Sequence, residues 1–269
     1  MKKPQVLKHK QLQKWLPTRK KTDNKSQGGR VLIWAGSKTM PGAATLSAKS
    51  ASRMGAGYVH VSNSKVLQFF PEAMIWDKKD LSRFSAVLIG PGMGVNQTTL
   101  KALRKLKKTS IPVVIDADAL TVAARYKLFP FPSHWVATPH SGELSRFLNI
   151  SADEVQKNRQ YAIEIAQKKL GCAILLKGFQ SLFCDGKNID LIPTGNVALA
   201  KGGSGDVLGG MIVGLLAQGC SPREATLLAA YLHGEMADQW IKEKKDHLSL
   251  TPSDLIEKIP EALYRLRKK

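Results

Sequence analysis

The sequence predicts an α/β fold, a single three-layer α/β/α domain around a mostly parallel central sheet. Three observations carry this. Short apolar runs alternate along the chain with stretches of helical period. The apolar runs are nearly continuous, as in strands buried on both faces. No linker or internal repeat interrupts the pattern, and 269 residues suit one large domain of this class.

The elements follow in order. The polar, Lys-rich stretch before Gly28 reads as a helix or an arm. RVLIWAG (30–36) is a buried strand bounded by Gly. A loop with Met40-Pro41-Gly42 leads into a helix over 43–57, with Gly55 and Gly57 as helix-end residues. YVHVS (58–62) returns as a strand, so the unit is strand–helix–strand with a right-handed crossover. SAVLIGPGMG (85–94) is a strand running into a Gly-rich loop, with a helix at 99–108. IPVVIDADAL (111–120) and HWVATPH (134–140) are further strands. Ser151 and Glu154 form a capping box for the next helix. CAILLKG (172–178) is a strand and 181–192 a hairpin turning at Asp185-Gly186. Residues 193–206 form a loop feeding a helix over 207–219. Ser221-Pro222 opens the helix from Arg223 to about Lys245. We expect a basic arm or helix at 1–27 and the single α/β domain over 28–269.

Composition narrows the function. Lys plus Arg number 41 against 21 acids, a net charge of +20 that favours anionic partners. Residues 1–30 hold ten of these cations and one acid, Asp23. Aromatics are only 7% and scarcely interleave with the basic runs, so nucleic-acid binding is disfavoured. Three cysteines without CxxC spacing argue against a disulfide scaffold or a zinc–cysteine site and for a reducing, cytoplasmic setting. No stretch has the roughly 18 apolar residues of a membrane span.

The segment Gly202-Gly203-Ser204-Gly205-Asp206 is the most informative. Small residues before a helix let backbone N–H groups approach an anion, and the helix dipole adds to the attraction. Asp206 falls in the first turn, where that dipole favours its ionised form; such a carboxylate suits accepting a proton from an attacking hydroxyl. Two other motifs fail as nucleotide fingerprints. Gly36-Ser37-Lys38-Thr39 lacks the Gly before Lys of a Walker A loop, and Gly90-Pro91-Gly92-Met93-Gly94 lacks the last Gly of a dinucleotide fingerprint. Asp116 and Asp118 suit either a helix cap or a Mg²⁺ held through water. Lys177 suits a phosphate. His140 reads by itself as a structural hydrogen-bonder, and His233, Glu235 and Asp238 as structural residues of a helix.

Seven segments in order, AGSKTMPGAATL, LIGPGMG, VVIDADAL, ATPHSGEL, LLKGFQS, PTGN and GNVALAKGGSGDVLGG, resemble the NAD(P)H-hydrate dehydratases of the ribokinase-like superfamily. The resemblance runs from about Gly28 to about Pro260. It implies repair of hydrated NADH or NADPH with ADP, or ATP in other branches, and Mg²⁺. The hydroxyl of the hydrated ring is phosphorylated and phosphate is then eliminated. By the same resemblance Asp206 takes the hydroxyl proton and the Gly203, Ser204 and Gly205 backbone holds the transferring phosphoryl group. Lys177, Gly178, Phe179, Gln180 and Ser181 match the nucleotide segment, with Gly205 also touching the nucleotide. Ala43, Gly92 and His140 match positions that hold the hydrated dinucleotide together with Asp206. No residue is assigned to the metal. Ser204 stands where Thr is common, and KGFQS where KGNQT is usual. The stand-alone form points to ADP and to one epimer, (S), with a separate epimerase or spontaneous interconversion supplying it; the resemblance also implies a homo-oligomer, a tetramer as in family members. The alternative is a ribokinase-like kinase of a small vitamin-precursor alcohol, but thiazole kinases carry Cys where Asp206 stands.

Overall fold

Ten strands form one sheet in the computed structural model, which describes residues 4–268. In chain order the strands are β1 (Gln5–Val6), β2 (Arg30–Trp34), β3 (Tyr58–Val61), β4 (Met74–Ile75) and β5 (Ala86–Ile89). Then come β6 (Val113–Ile115), β7 (Val136–Ala137), β8 (Ala173–Leu176), β9 (Leu182–Cys184) and β10 (Ile189–Leu191). The helices are α1 (His9–Trp15), α2 (Pro41–Arg53), α3 (Gln97–Leu106), α4 (Ala117–Arg125) and α5 (Ser141–Leu148). They continue with α6 (Ala152–Lys157), α7 (Arg159–Leu170), α8 (Ser204–Ala217), α9 (Pro222–Lys242) and α10 (Pro252–Lys268).

The strand order is β1-β10-β9-β8-β7-β6-β5-β2-β3-β4, and only β9 runs against the rest. Successive residues of the inner strands β5 to β9 enter opposite cores, as the two-residue repeat requires. Val31 and Ile33 face α2 and α8, whereas Leu32 faces the other layer; Leu88 and Ile89 divide the same way. Helices α1, α2 and α8 to α10 cover one face, and α3 to α7 the other. This is the expected three-layer arrangement.

The element bounds differ from expectation where local chemistry ends them. The second helix starts at Pro41, whose fixed φ suits a first turn, and stops at Arg53 before Gly55 at φ 101°. The strand expected over 134–140 is only two residues long, cut off by Pro139. Residues 5–16 join the domain: β1 pairs in parallel with β10, and Leu7, Leu12 and Leu16 are buried in the main core. The C-terminal helix α10, unassigned from sequence, buries Leu255, Ile256, Ile259, Ala262 and Leu266.

The order places one topological switch between β2 and β5. The chain builds outwards from β2 to β4, then resumes at β5 and builds the other way. The crevice beyond the carboxyl ends of two such strands is where open α/β sheets bind ligands. Here the loops after β2 and β5 touch, Gly36 N–H donating to the Pro91 carbonyl at 2.7 Å.

Candidate active site

Helix α8 is apolar on all sides and runs through the core layer against α2. Two glycines allow the close approach. A Cβ at Gly210 would meet Ser50 Oγ at 2.0 Å, and one at Gly214 the Ala51 carbonyl at 2.9 Å. The contact fixes the start of α8, where Ser47 Oγ donates to the Asp206 carbonyl at 3.0 Å. Gly203 precedes the helix with φ 95°. No side chain caps the helix; Ser204 N–H donates to the Lys201 carbonyl at 3.2 Å, and no side chain partners the first-turn N–H groups.

Around this start lies a cluster of charges. Lys177, just after β8, places Nζ 2.7 Å from Asp116 Oδ1 and 4.0 Å from Glu143 Oε2. Asp116 follows β6 and is buried; the next residue, Ala117, takes the left-handed φ of 49° that the turn demands. The Cβ direction of Gly205 points at Lys177 Nζ, 3.6 Å away, and at Asp116 Oδ2, 3.9 Å away. Burial works against the Lys177 ammonium, but Asp116, Glu143 and Asp206 outweigh it and hold its pKa above the ordinary lysine value. Burial raises the Glu143 pKa, with Lys177 opposing.

Asp206 differs from expectation. Burial, then the neighbouring charge of Asp116, push its pKa up to about 7, and Lys177 only partly compensates. The dipole argument for an ionised Asp206 does not prevail in the ligand-free protein, because desolvation and a second carboxylate act at shorter range.

A cavity of about 870 Å³ opens beside this cluster. Its wall gathers His140, Lys177, Gly178, Phe179, Ser181, Ser204 and Gly205 from three separate parts of the chain. Phe179 is 74% exposed there. Gln180 has φ 51° and does not line it. Asp206 sits behind Gly205 in the same turn. Ala43 and Gly92 meet each other instead at the β2–β5 switch, where a Cβ on Gly92 would lie 3.0 Å from that of Ala43. Asp118 joins that second region by accepting from Gly94 N–H at 2.8 Å.

His140 does two jobs at once. Its Nδ1 accepts from the Gly142 and Glu143 amides at 3.0 and 3.3 Å, capping α5. A neutral ring therefore carries its proton on Nε2, which lies 3.5 Å from Glu143 Oε1 on the cavity side.

Sequence reasoning missed part of the wall. Thr194, Gly195, Asn196 and Val197 line the cavity, as do His233 and Gly234 of α9. His233, read as structural, reaches Ser204 Oγ at 3.2 Å. Burial lowers its pKa to about 4, so the ring is neutral at pH 7. The signal was the His-Gly pair inside a helix, where glycine is costly unless something packs against it.

A family model described as NAD(P)H-hydrate dehydratase matches residues 31–261. The chain belongs to the NAD(P)H-hydrate dehydratase family. It is 36% identical to the ADP-dependent (S)-NAD(P)H-hydrate dehydratase of Bacillus subtilis, over 91% of this chain and 93% of that protein. The bifunctional NAD(P)H-hydrate repair enzyme of Coxiella burnetii is also 36% identical; the match spans 85% of this chain but only 49% of that protein. Among solved structures, the ADP/ATP-dependent NAD(P)H-hydrate dehydratase of Bacillus subtilis, co-crystallised with ATP and Mg²⁺, superposes with a TM-score of 0.88. It shares 32% identity over 98% of this chain and 99% of that one. The ribokinase-like, three-layer fold expected for the dehydratase family is therefore the fold observed. Among the described residues no helix is long and apolar enough to cross a membrane.

Proposed function

We propose that this chain is an ADP-dependent (S)-NAD(P)H-hydrate dehydratase that restores NADH or NADPH and yields AMP and phosphate. The observation that carries the mechanism is the uncapped, glycine-built start of α8 with Asp206 in its first turn. The ring hydroxyl of the hydrate attacks the terminal phosphoryl group of ADP and passes its proton to Asp206. The P–O bond to AMP breaks, and its electron pair leaves with AMP. The developing charge lies against the N–H groups of Gly203, Ser204 and Gly205. The ring nitrogen then expels phosphate with the C–O electron pair, and loss of a proton from the adjacent carbon restores the double bond. That step needs no strong protein acid, so catalysis rests on positioning and electrostatics.

Lys177, Gly178, Phe179, Gln180 and Ser181 hold the nucleotide in this reading, with Gly205. Ala43, Gly92 and His140 hold the dinucleotide, which would extend from the α8 start towards the β2–β5 switch. Among the described residues no group of three or more His, Cys, Asp or Glu side chains could hold a metal ion. A Mg²⁺ would arrive with the nucleotide phosphates, whose charge it would neutralise, and Asp116 and Asp206 are the carboxylates that could accept from its water ligands. A homo-tetramer in the cytoplasm, working beside a separate epimerase, completes the proposal; the bifunctional relatives support the last point.

The test is the absorbance of the reduced nicotinamide, followed with NADH-hydrate, Mg²⁺ and either ADP or ATP. A nucleotide-dependent rise is expected, and the faster nucleotide is the donor. A flat trace from folded protein overturns the proposal. A stable phosphorylated alcohol among the products would favour the kinase reading instead.

A further inference from the structure

The segment 194–204 forms one wall of the cavity, and α9 holds it at both ends. At one end the Asp238 carboxylate accepts from Gly195 N–H and from Asn196 Nδ2, each at 2.9 Å. Asn196 in turn accepts from Ala198 N–H at 2.9 Å, so the grip is passed into the following turn. Thr194 Oγ1 donates to the Tyr231 carbonyl of the same helix at 2.9 Å. At the other end His233 Nε2 meets Ser204 Oγ at 3.2 Å, both side chains buried. Between these points Gly234 lets the backbone lie flat, since a Cβ there would sit 2.5 Å from the Thr194 carbonyl carbon. The middle of the segment is free of such ties to α9: Val197 is 65% exposed, and Lys201 turns away to donate to the Leu248 carbonyl.

We infer that Asp238 and His233 are positioning residues, a two-point clamp by which α9 sets the nucleotide wall and the first residue of the phosphate-binding helix. Neither touches the reacting atoms. Asp238 supplies two acceptor atoms to two donors of the strap, a pairing that no uncharged side chain of its size reproduces. His233, kept neutral by its burial, fixes the Ser204 rotamer without bringing a charge to the anion site. The inference rests on the reading of the cavity as the nucleotide site.

The experiment is equilibrium binding of ADP to the full chain, read alongside thermal melting. Asp238→Ala should weaken ADP about tenfold, and Asn196→Ala, on the partly exposed side of the pair, should weaken it several-fold. The double variant should bind no worse than Asp238→Ala, because both lose one shared grip. His233→Ala should weaken ADP several-fold, and His233→Gln, which keeps an Nε2 donor for Ser204, should recover most of it. A purely structural role would lower the melting temperature and leave the folded protein's ADP affinity unchanged, which overturns the clamp. Additive losses in the Asn196–Asp238 pair overturn it too. Should Asp238→Ala fail to fold, Asn196→Ala and the His233 pair decide the matter. If the unaltered chain does not bind ADP, the nucleotide reading falls and the clamp with it. Binding without hydrate turnover defeats only the proposed reaction.

Discussion

Helices α8 and α9 begin within twenty residues of each other in sequence, and their starts are built in opposite ways. At α9, Ser221 accepts from Glu224 N–H while the Glu224 carboxylate accepts from Ser221 N–H at 2.9 Å, a closed capping box followed by Pro222. The orphan N–H groups there are satisfied from within. At α8 no side chain performs this task, and glycines stand where a cap would be. A start with glycine at the cap costs a little stability, on the order of a few tenths of a kcal/mol relative to a serine cap. It also leaves a cluster of donors with the positive end of the dipole behind them. A start of this kind next to a buried carboxylate is what the proposed anion site requires.

The comparison can be broken most severely at Asp206. Asp206→Asn should lower turnover by about 10³-fold, the scale of a lost general base. The same variant should be the more stable protein in alkali. The folded pKa of about 7 lies above the ordinary 3.8, so the preference for the neutral acid stabilises the fold at low pH and is lost as pH rises through 7. At pH 8 the substitution should gain about 1–4 kcal/mol in denaturant unfolding, with no gain near pH 3.5. Loss of stability at pH 8 would show that the raised pKa is not a property of the protein.

Next in size is a pair of alanines within α8. Gly205→Ala has room in the ligand-free protein, its nearest neighbour being Lys177 Nζ at 3.6 Å. It should leave the melting temperature within a few degrees yet reduce turnover about 100-fold, by filling the anion's place. Gly210→Ala drives a methyl group into Ser50 Oγ and the Ser47 carbonyl. It should destabilise by about 3 kcal/mol through overpacking. Equal behaviour of the two would mean that the α8 start is ordinary packing.

The pH profile sharpens the same point. kcat/KM should fall about tenfold per unit as pH drops below about 7, where Asp206 becomes protonated. Asp116→Asn should move that limb to lower pH, since it removes the neighbouring negative charge that raises the Asp206 pKa and leaves the opposing charge of Lys177 in place. A limb that does not move would assign it to another group. The smallest effect belongs to α9: Ser221→Ala should cost about 1 kcal/mol in thermal unfolding and leave kcat/KM unchanged.

Much of this was legible in the chain. The β2, β5, β6 and β8 strands announce themselves as apolar runs, because a strand covered on both faces has no polar side to hide. The helix start at GGSGD, where α8 does begin at Ser204 after Gly203, was legible from its small residues. The β1 strand and α10 were not. Their signals are short or broken, and Leu7, Leu12 and Leu16 become core only when β10 and α9 arrive from far along the sequence. The hydrogen bonds of His233 and Asp238 were not legible for the same cause, because their partners Ser204, Gly195 and Asn196 lie about thirty to forty residues upstream.

Fold class, family and the glycine-rich start of α8 can be read from the sequence alone, because periodicity, ordered motifs and glycine placement are local properties. The tertiary structure decided the protonation of Asp206, the Asp116–Lys177–Glu143 cluster and the grip of α9 on the cavity wall. Those depend on burial and on distances between remote residues, and neither quantity exists until the chain has folded.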